Sequence, residues 1–173
     1  MPPKMHRLLL VTTLLGVSLP ASANPTKQEL AMRLVAVMRL DYTVLDALQW
    51  QARVAPAFSG DVSACLGGAD YKRFTAPIAN VVARDVSVDD IAYLLGFYSS
   101  PAGSKFTEAA LVDAHKHADP GIKEDYPDIS PDEYAQISSL IKSEPYARFR
   151  GVQTYASVRQ TADQLLAECR AGK

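Results

Sequence analysis

Three stretches of this 173-residue chain open in the same way. Thr26-Lys27-Gln28-Glu29, Ser87-Val88-Asp89-Asp90 and Ser130-Pro131-Asp132-Glu133 each set a hydroxyl three residues ahead of a carboxylate, with apolar residues following. In that pattern the hydroxyl accepts from a free amide of the first helical turn, and the carboxylate accepts from the amide of the capping residue. Ser100-Pro101 and Ser143-Glu144-Pro145 add two further starts, with proline in the first turn, where it has no hydrogen bond to lose. A chain punctuated in this way is committed to short, separately capped helices.

The apolar pattern agrees. Leu30, Leu34, Val37, Met38, Leu45 and Leu48 recur at helical spacing, widened by Val35, Tyr42 and Trp50. They predict one long helix over about 26–55, bent near Asp41 and ended by Pro56, Ser59 and Gly60. A short turn is expected at Asp61–Leu66. A helix over about 69–84 follows, carrying Tyr71, Phe74, Ile78 and Val82 and kinked or divided at Pro77. Ile91, Leu94, Leu95 and Tyr98 stripe the helix after Ser87, and Phe106, Ala109, Ala110 and Val112 stripe the next, which runs out near His117. Residues 118–129 read as a loop. Tyr134, Ile137 and Ile141 follow the third cap, and a last helix carries Phe149, Val152, Tyr155, Val158, Ala162, Leu165 and Cys169. No stretch alternates apolar and polar residues, and no Asn-Gly or Asp-Gly turn is present. The fold class expected is all-α: a bundle or stack of about six helices in αα-hairpins, closed by one disulfide.

Ser87–Phe106 aligns with Ser130–Phe149 without a gap at an offset of 43. Asp90 then meets Glu133, Ser100 meets Ser143, Lys105 meets Arg148 and Phe106 meets Phe149. Any two capped hairpins look somewhat alike, but a preserved spacing from cap to second serine to phenylalanine favours duplication of a hairpin, giving similar units at about 87–117 and 130–169.

Residues 1–23 are expected to lie outside the fold. Lys4 and Arg7 precede an apolar run over Leu8–Val17, and Pro20 leads into Ala21-Ser22-Ala23, the small-residue pattern of a signal-peptide cleavage site. The run is too short for a membrane span, and no later stretch is long enough. Cleavage near Ala23 would place residues 24–173, one helical domain, in the periplasm or outside the cell. Lys4 and Arg7 are two of the 18 basic residues, so the exported part is mildly acidic against its 19 acids. That balance argues against nucleic acid or an anionic membrane surface as partner. Cys65 and Cys169 are the only cysteines, and in an oxidising compartment such a pair reads as one structural disulfide. There is no C-x-x-C to make a redox-active thiolate.

Candidate chemistry is sparse. His115 and His117, in Asp113-Ala-His-Lys-His-Ala-Asp119, are the only histidines after residue 23. They are weak candidates for a metal site, because histidines at i and i+2 of a helix do not converge and the remaining ligands of a tetrahedral site cannot be named. The simpler reading is imidazole complementing a helix C-terminus. The acidic pairs Asp89-Asp90 and Asp132-Glu133 fit helix first turns better than acid–base catalysis, and Glu124-Asp125 has no partner by sequence. Ser99-Ser100 and Ser138-Ser139 lack a G-x-S-x-G setting, and there is no P-loop, dinucleotide glycine pattern or EF-hand. No catalytic residue and no cofactor is expected. Tyr93, Tyr98, Tyr134, Tyr146 and Tyr155 are candidates to line a groove for a peptide or glycan, though such residues are more often half-buried core.

The run Phe97-Tyr98-Ser99-Ser100-Pro101-Ala102-Gly103-Ser104-Lys105 resembles the hallmark of a bacterial family catalogued as domain of unknown function 2059, a helix ending in Phe-Tyr-x-Ser-Pro-x-Gly-x-Lys. Phe97, Tyr98, Ser100, Pro101, Gly103 and Lys105 carry the resemblance; Lys142-Ser143-Glu144-Pro145-Tyr146 in the second copy does not. The resemblance implies an exported all-helical protein without an assigned activity. The function expected is a non-enzymatic binding module of the cell envelope whose partner is another envelope or secreted protein. An inhibitor or immunity protein against a secreted hydrolase, and a metal-assisted envelope enzyme using His115 and His117, are the alternatives.

Overall fold

A computed structural model describes residues 25–54, 60–118, 121–152 and 155–172; residues 1–23, where the signal peptide is expected, lie outside the described residues, as do the side chains of Val54, His117, Ala118, Tyr155 and Ala156. Within them the elements are α1 (Lys27–Val37), α2 (Leu40–Val54), α3 (Gly60–Gly67), a 3₁₀ turn (Tyr71–Phe74), α4 (Thr75–Asp85), α5 (Val88–Tyr98), α6 (Pro101–Ala118), α7 (Pro131–Ile141), α8 (Glu144–Arg150) and α9 (Tyr155–Arg170). No strand occurs among the described residues. The fold is all-α and is closed by the Cys65–Cys169 disulfide, Cα–Cα 5.5 Å, which joins α3 to α9.

The helices are shorter than the sequence predicts, and each division has a local cause. The expected helix over 26–55 is two. Met38 ends α1, and Arg39 follows in the left-handed region at φ 53°, donating its amide to the Ala36 carbonyl before α2 begins. Pro77 does not kink a helix; the division falls just before it, between the 3₁₀ turn and α4, so that Pro77 sits in the first turn of α4. The last helix is also two, because α8 ends at Gly151.

Two of the three expected boxes form in full. Thr26 with Glu29 and Ser130 with Glu133 bond reciprocally. Ser87 accepts from the Asp90 amide at 3.1 Å, but the Asp90 carboxylate does not return the bond. It accepts instead from Arg148 Nε and Nη2, both at 2.8 Å. The fork-to-fork fit of guanidinium and carboxylate is the stronger pairing.

The centre of the molecule is α1. Its buried Ala31, Leu34 and Val35 pack against α4 and α5, where Ile78, Val82, Ile91 and Leu94 are also buried. Phe74, Leu66 and Leu140 extend the same apolar core toward α2, α9 and α7. The two similar hairpins lie side by side, with α5 against both α6 and α8, and α6 against α7. Their ion pairs exchange equivalent positions: Asp90 of the first segment binds Arg148 of the second, and Glu133 of the second accepts from Lys105 of the first at 2.8 Å. In the gapless alignment Asp90 meets Glu133 and Lys105 meets Arg148, so each pair joins the acid of one segment to the base of the other.

Candidate functional site

The family-like run is built into the scaffold. Ser100 caps α6 by accepting from the Gly103 amide at 3.1 Å, and Pro101 occupies the first helical position. Phe97 and Phe106 are half-buried and Tyr98 is buried, their rings in mutual contact at centroid distances of 5.3 to 6.3 Å. Burial, with Tyr146 alongside, pushes the Tyr98 phenol above its ordinary range. Gly103 crosses α5 so closely that an added Cβ would lie 2.5 Å from Tyr98 Cα and nearer still to the Phe97 carbonyl oxygen. Lys105 ends on Glu133. None of the six lines the cleft at the corner of α1 and α2.

The tyrosines proposed to line a groove do not gather. Tyr93 and Tyr134 are exposed on α5 and α7, Tyr98 is core, Tyr146 packs half-buried on that core, and the Tyr155 side chain lies outside the described residues.

His115 is engaged by two carboxylates. Its Nδ1 lies 2.8 Å from Glu124 Oε2, in the segment after α6, and its Nε2 lies 3.2 Å from Asp46 Oδ2 on α2. The second approach is electrostatic only: Nε2 is buried and has no hydrogen-bond partner among the described residues. Because the two carboxylates sit at opposite nitrogens of one ring, they do not converge with the imidazole on a common point, as a metal site requires. The His117 side chain and Asp119 lie outside the described residues, and no cluster of three metal-ligating side chains occurs within them. Asp113 accepts from the Tyr126 hydroxyl at 3.3 Å, and Lys116 stands 4.1 Å over the Tyr126 ring. These contacts tie the segment after α6 back onto that helix.

A cleft opens instead at the corner between α1 and α2. It is open to solvent, has a volume of about 660 Å³, and is lined by the half-buried Tyr42 and the exposed Met32, Ala36, Tyr71 and Ala76. Asp41, at the start of α2, fixes its base. This buried carboxylate accepts from the Tyr42 amide at 2.9 Å and from the hydroxyl of Thr75, the first residue of α4, at 2.5 Å. Tyr42 meets Tyr71 edge to face at 6.1 Å, so the wall is aromatic on two sides. Arg33, Arg39 and Lys72 line the same cleft and are exposed, which puts their charged ends at its mouth. Arg39 lays its guanidinium 4.3 Å above the Tyr42 ring. Behind that pair is a second, more acidic hollow of about 310 Å³, lined in part by Glu108, His115, Glu124 and Asp125.

What sets the cations at the cleft apart is that three of them line one apolar hollow. Arg73, Arg84, Lys105, Arg148 and Arg159 each pair with a carboxylate. Among the described residues no ion-pair partner reaches Arg33, Arg39 or Lys72, and the one acid in the cleft, Asp41, is already satisfied by Thr75 and the backbone. Apolar floor, aromatic walls and a few placed charges are the ordinary anatomy of a small-ligand site, and the volume is within the usual range.

No protein-family model, curated protein or solved structure matches the chain.

Proposed function

We propose that this chain is a non-enzymatic binding module of the cell envelope, acting outside the cytoplasm, and that its ligand occupies the cleft between α1, α2 and the start of α4. The observation that carries the reading is the set of three cations, without carboxylate partners among the described residues, that line one apolar cleft of about 660 Å³. The signal-peptide pattern of residues 1–23 and the Cys65–Cys169 bridge support an oxidising, extracytoplasmic setting. The run from Phe97 to Lys105 supports grouping the chain with the exported helical proteins of domain of unknown function 2059. Binding rather than catalysis is favoured because the cleft's hydroxyl–carboxylate pair, Thr75 with Asp41, ties α4 to α2 at its base, while the exposed charges stand over an apolar surface.

The test compares wild type with Ala36→Trp, which fills the cleft from an exposed helix position. Each protein is incubated with envelope extract of the source cell and re-isolated, and what it retains is identified by mass spectrometry. A component held by wild type and absent from Ala36→Trp supports the reading. Equal retention by the two overturns it.

A further inference from the structure

We infer that the occupant is a fatty carboxylate, a single alkyl chain ending in one anionic head; this rests on the cleft being the binding site. Charge complementarity selects the head. Arg33, Arg39 and Lys72 stand at the mouth, and the only acid in the cleft is buried and already bonded. A carboxylate there would accept charge-assisted hydrogen bonds from guanidinium and ammonium groups that have no other carboxylate partner among the described residues.

The walls select the tail. The lining between the charges is side-chain surface from Met32, Ala36, Tyr42, Tyr71 and Ala76. An extended peptide laid there would bury amides without partners, which is costly, whereas an alkyl chain has none to satisfy. Met32, with its adaptable thioether, and the faces of Tyr42 and Tyr71 are surfaces that tolerate a flexible chain. A docked helix of several turns needs a longer trough than a hollow of about 660 Å³, a size typical of sites for small ligands.

Arg39 points the same way. The left-handed position after a helix is ordinarily filled by glycine, sometimes by asparagine. Here an arginine holds it, at φ 53°, and its head lies over the Tyr42 ring at the junction of cleft and acidic hollow. That turn of the backbone sets the Arg39 guanidinium at the cleft, where an anionic head would meet it.

The experiment is calorimetric titration of the delipidated, disulfide-intact full exported chain, below micelle-forming concentrations, with dodecanoate, dodecanol and dodecyltrimethylammonium. Dodecanoate should bind one to one, and both other probes at least roughly tenfold more weakly, the scale of losing a hydrogen bond to a charged group. Arg39→Gly, which relieves the left-handed strain, should lose affinity for dodecanoate by a similar factor without a lower melting temperature, and Ala36→Trp should abolish binding. Equal affinity for dodecanol and dodecanoate, or an Arg39→Gly variant that binds as wild type does, would overturn the inference. So would failure of dodecanoate to bind while an acidic, leucine-rich test peptide binds wild type and not Ala36→Trp. If dodecanoate fails but an envelope component is still retained through the cleft, the fatty carboxylate is wrong and the binding module stands; if neither is retained, both fall.

Discussion

Arg39 and Gly103 are the two positions where backbone geometry and residue type bear hardest on each other, in opposite senses. At Arg39 a side chain stands where none is sterically welcome. A non-glycine residue in the left-handed region costs about 1–2 kcal/mol. Glycine there gives back part of that through the freedom it adds to the unfolded chain, roughly 0.5–1 kcal/mol. Arg39→Gly is therefore expected to raise stability by up to about 1 kcal/mol, read as a melting temperature equal to or a few degrees above wild type. A clear drop would mean that the guanidinium over Tyr42 holds the corner together. At Gly103 the absent side chain is what the fold uses. Gly103→Ala forces a Cβ against the backbone of Phe97 and Tyr98, so α5 and α6 must separate. The expected loss is about 1–3 kcal/mol, seen as a lower denaturation midpoint. Gly103 was legible as a close approach because only glycine suits such a crossing. Arg39 was not, since left-handed caps are recognised by glycine or asparagine. The one available hint was Asp41, an acid on the stripe Leu34–Met38–Asp41–Leu45–Leu48, which is otherwise apolar.

Among the elements, the paired hairpins contribute to the acid sensitivity, beside Glu29 and Asp85, whose carboxyls are also lowered by their partners Thr26 and Arg84. Glu133 is held at about 2, against an ordinary 4.5, first by the Lys105 ammonium and then by the Ser130 amide and hydroxyl. Asp90 is lowered from 3.8 chiefly by the Arg148 guanidinium, against the opposing effect of its burial. Both folded carboxylates release protons more readily than their unfolded counterparts, so below the ordinary carboxylate range the unfolded chain binds more protons. The stabilisation is present above pH 4.5 and is lost as the pH falls toward 2. Thermal melts across that window should show a falling melting temperature, and Glu133→Gln should flatten the Glu133 part of the slope. An unchanged slope would place the acid sensitivity elsewhere. The starts of α1, α5, α6, α7 and α8 were all legible, because capping is decided within four residues. That Asp90 would turn from its own helix start to Arg148 was not, for the competing donor is 58 residues away. Nor was the break at Gly151, because Phe149, Val152, Val158 and Ala162 keep helical spacing through it.

For the whole molecule, the disulfide and the cleft differ in what could be foreseen. Two cysteines leave a single pairing, and closing a loop of 104 residues stabilises by about 4–5 kcal/mol on the chain-entropy account. Replacing Cys65 and Cys169 together by alanine should lower stability toward that figure, measured by denaturant unfolding. A cost near zero would show that packing of α3 on α9 suffices. The cleft was not foreseen, because its wall comes from α1, α2, α4 and the 3₁₀ turn, brought together by the packing of α1 on α4 and of α2 on the 3₁₀ turn and by the Asp41–Thr75 bond. Tyr42 and Tyr71 read as parts of apolar stripes, and nothing in the sequence of Arg33 or Lys72 separates a cation left without a carboxylate from one that has found its acid. The bridge has another consequence. Lys123 lies exposed in the segment before α7, between the two cysteines in the chain. Tryptic cleavage there would leave one species on a non-reducing gel and two after reduction. The halves of the molecule are joined by two routes, one peptide and one sulfur, and cutting either alone parts nothing.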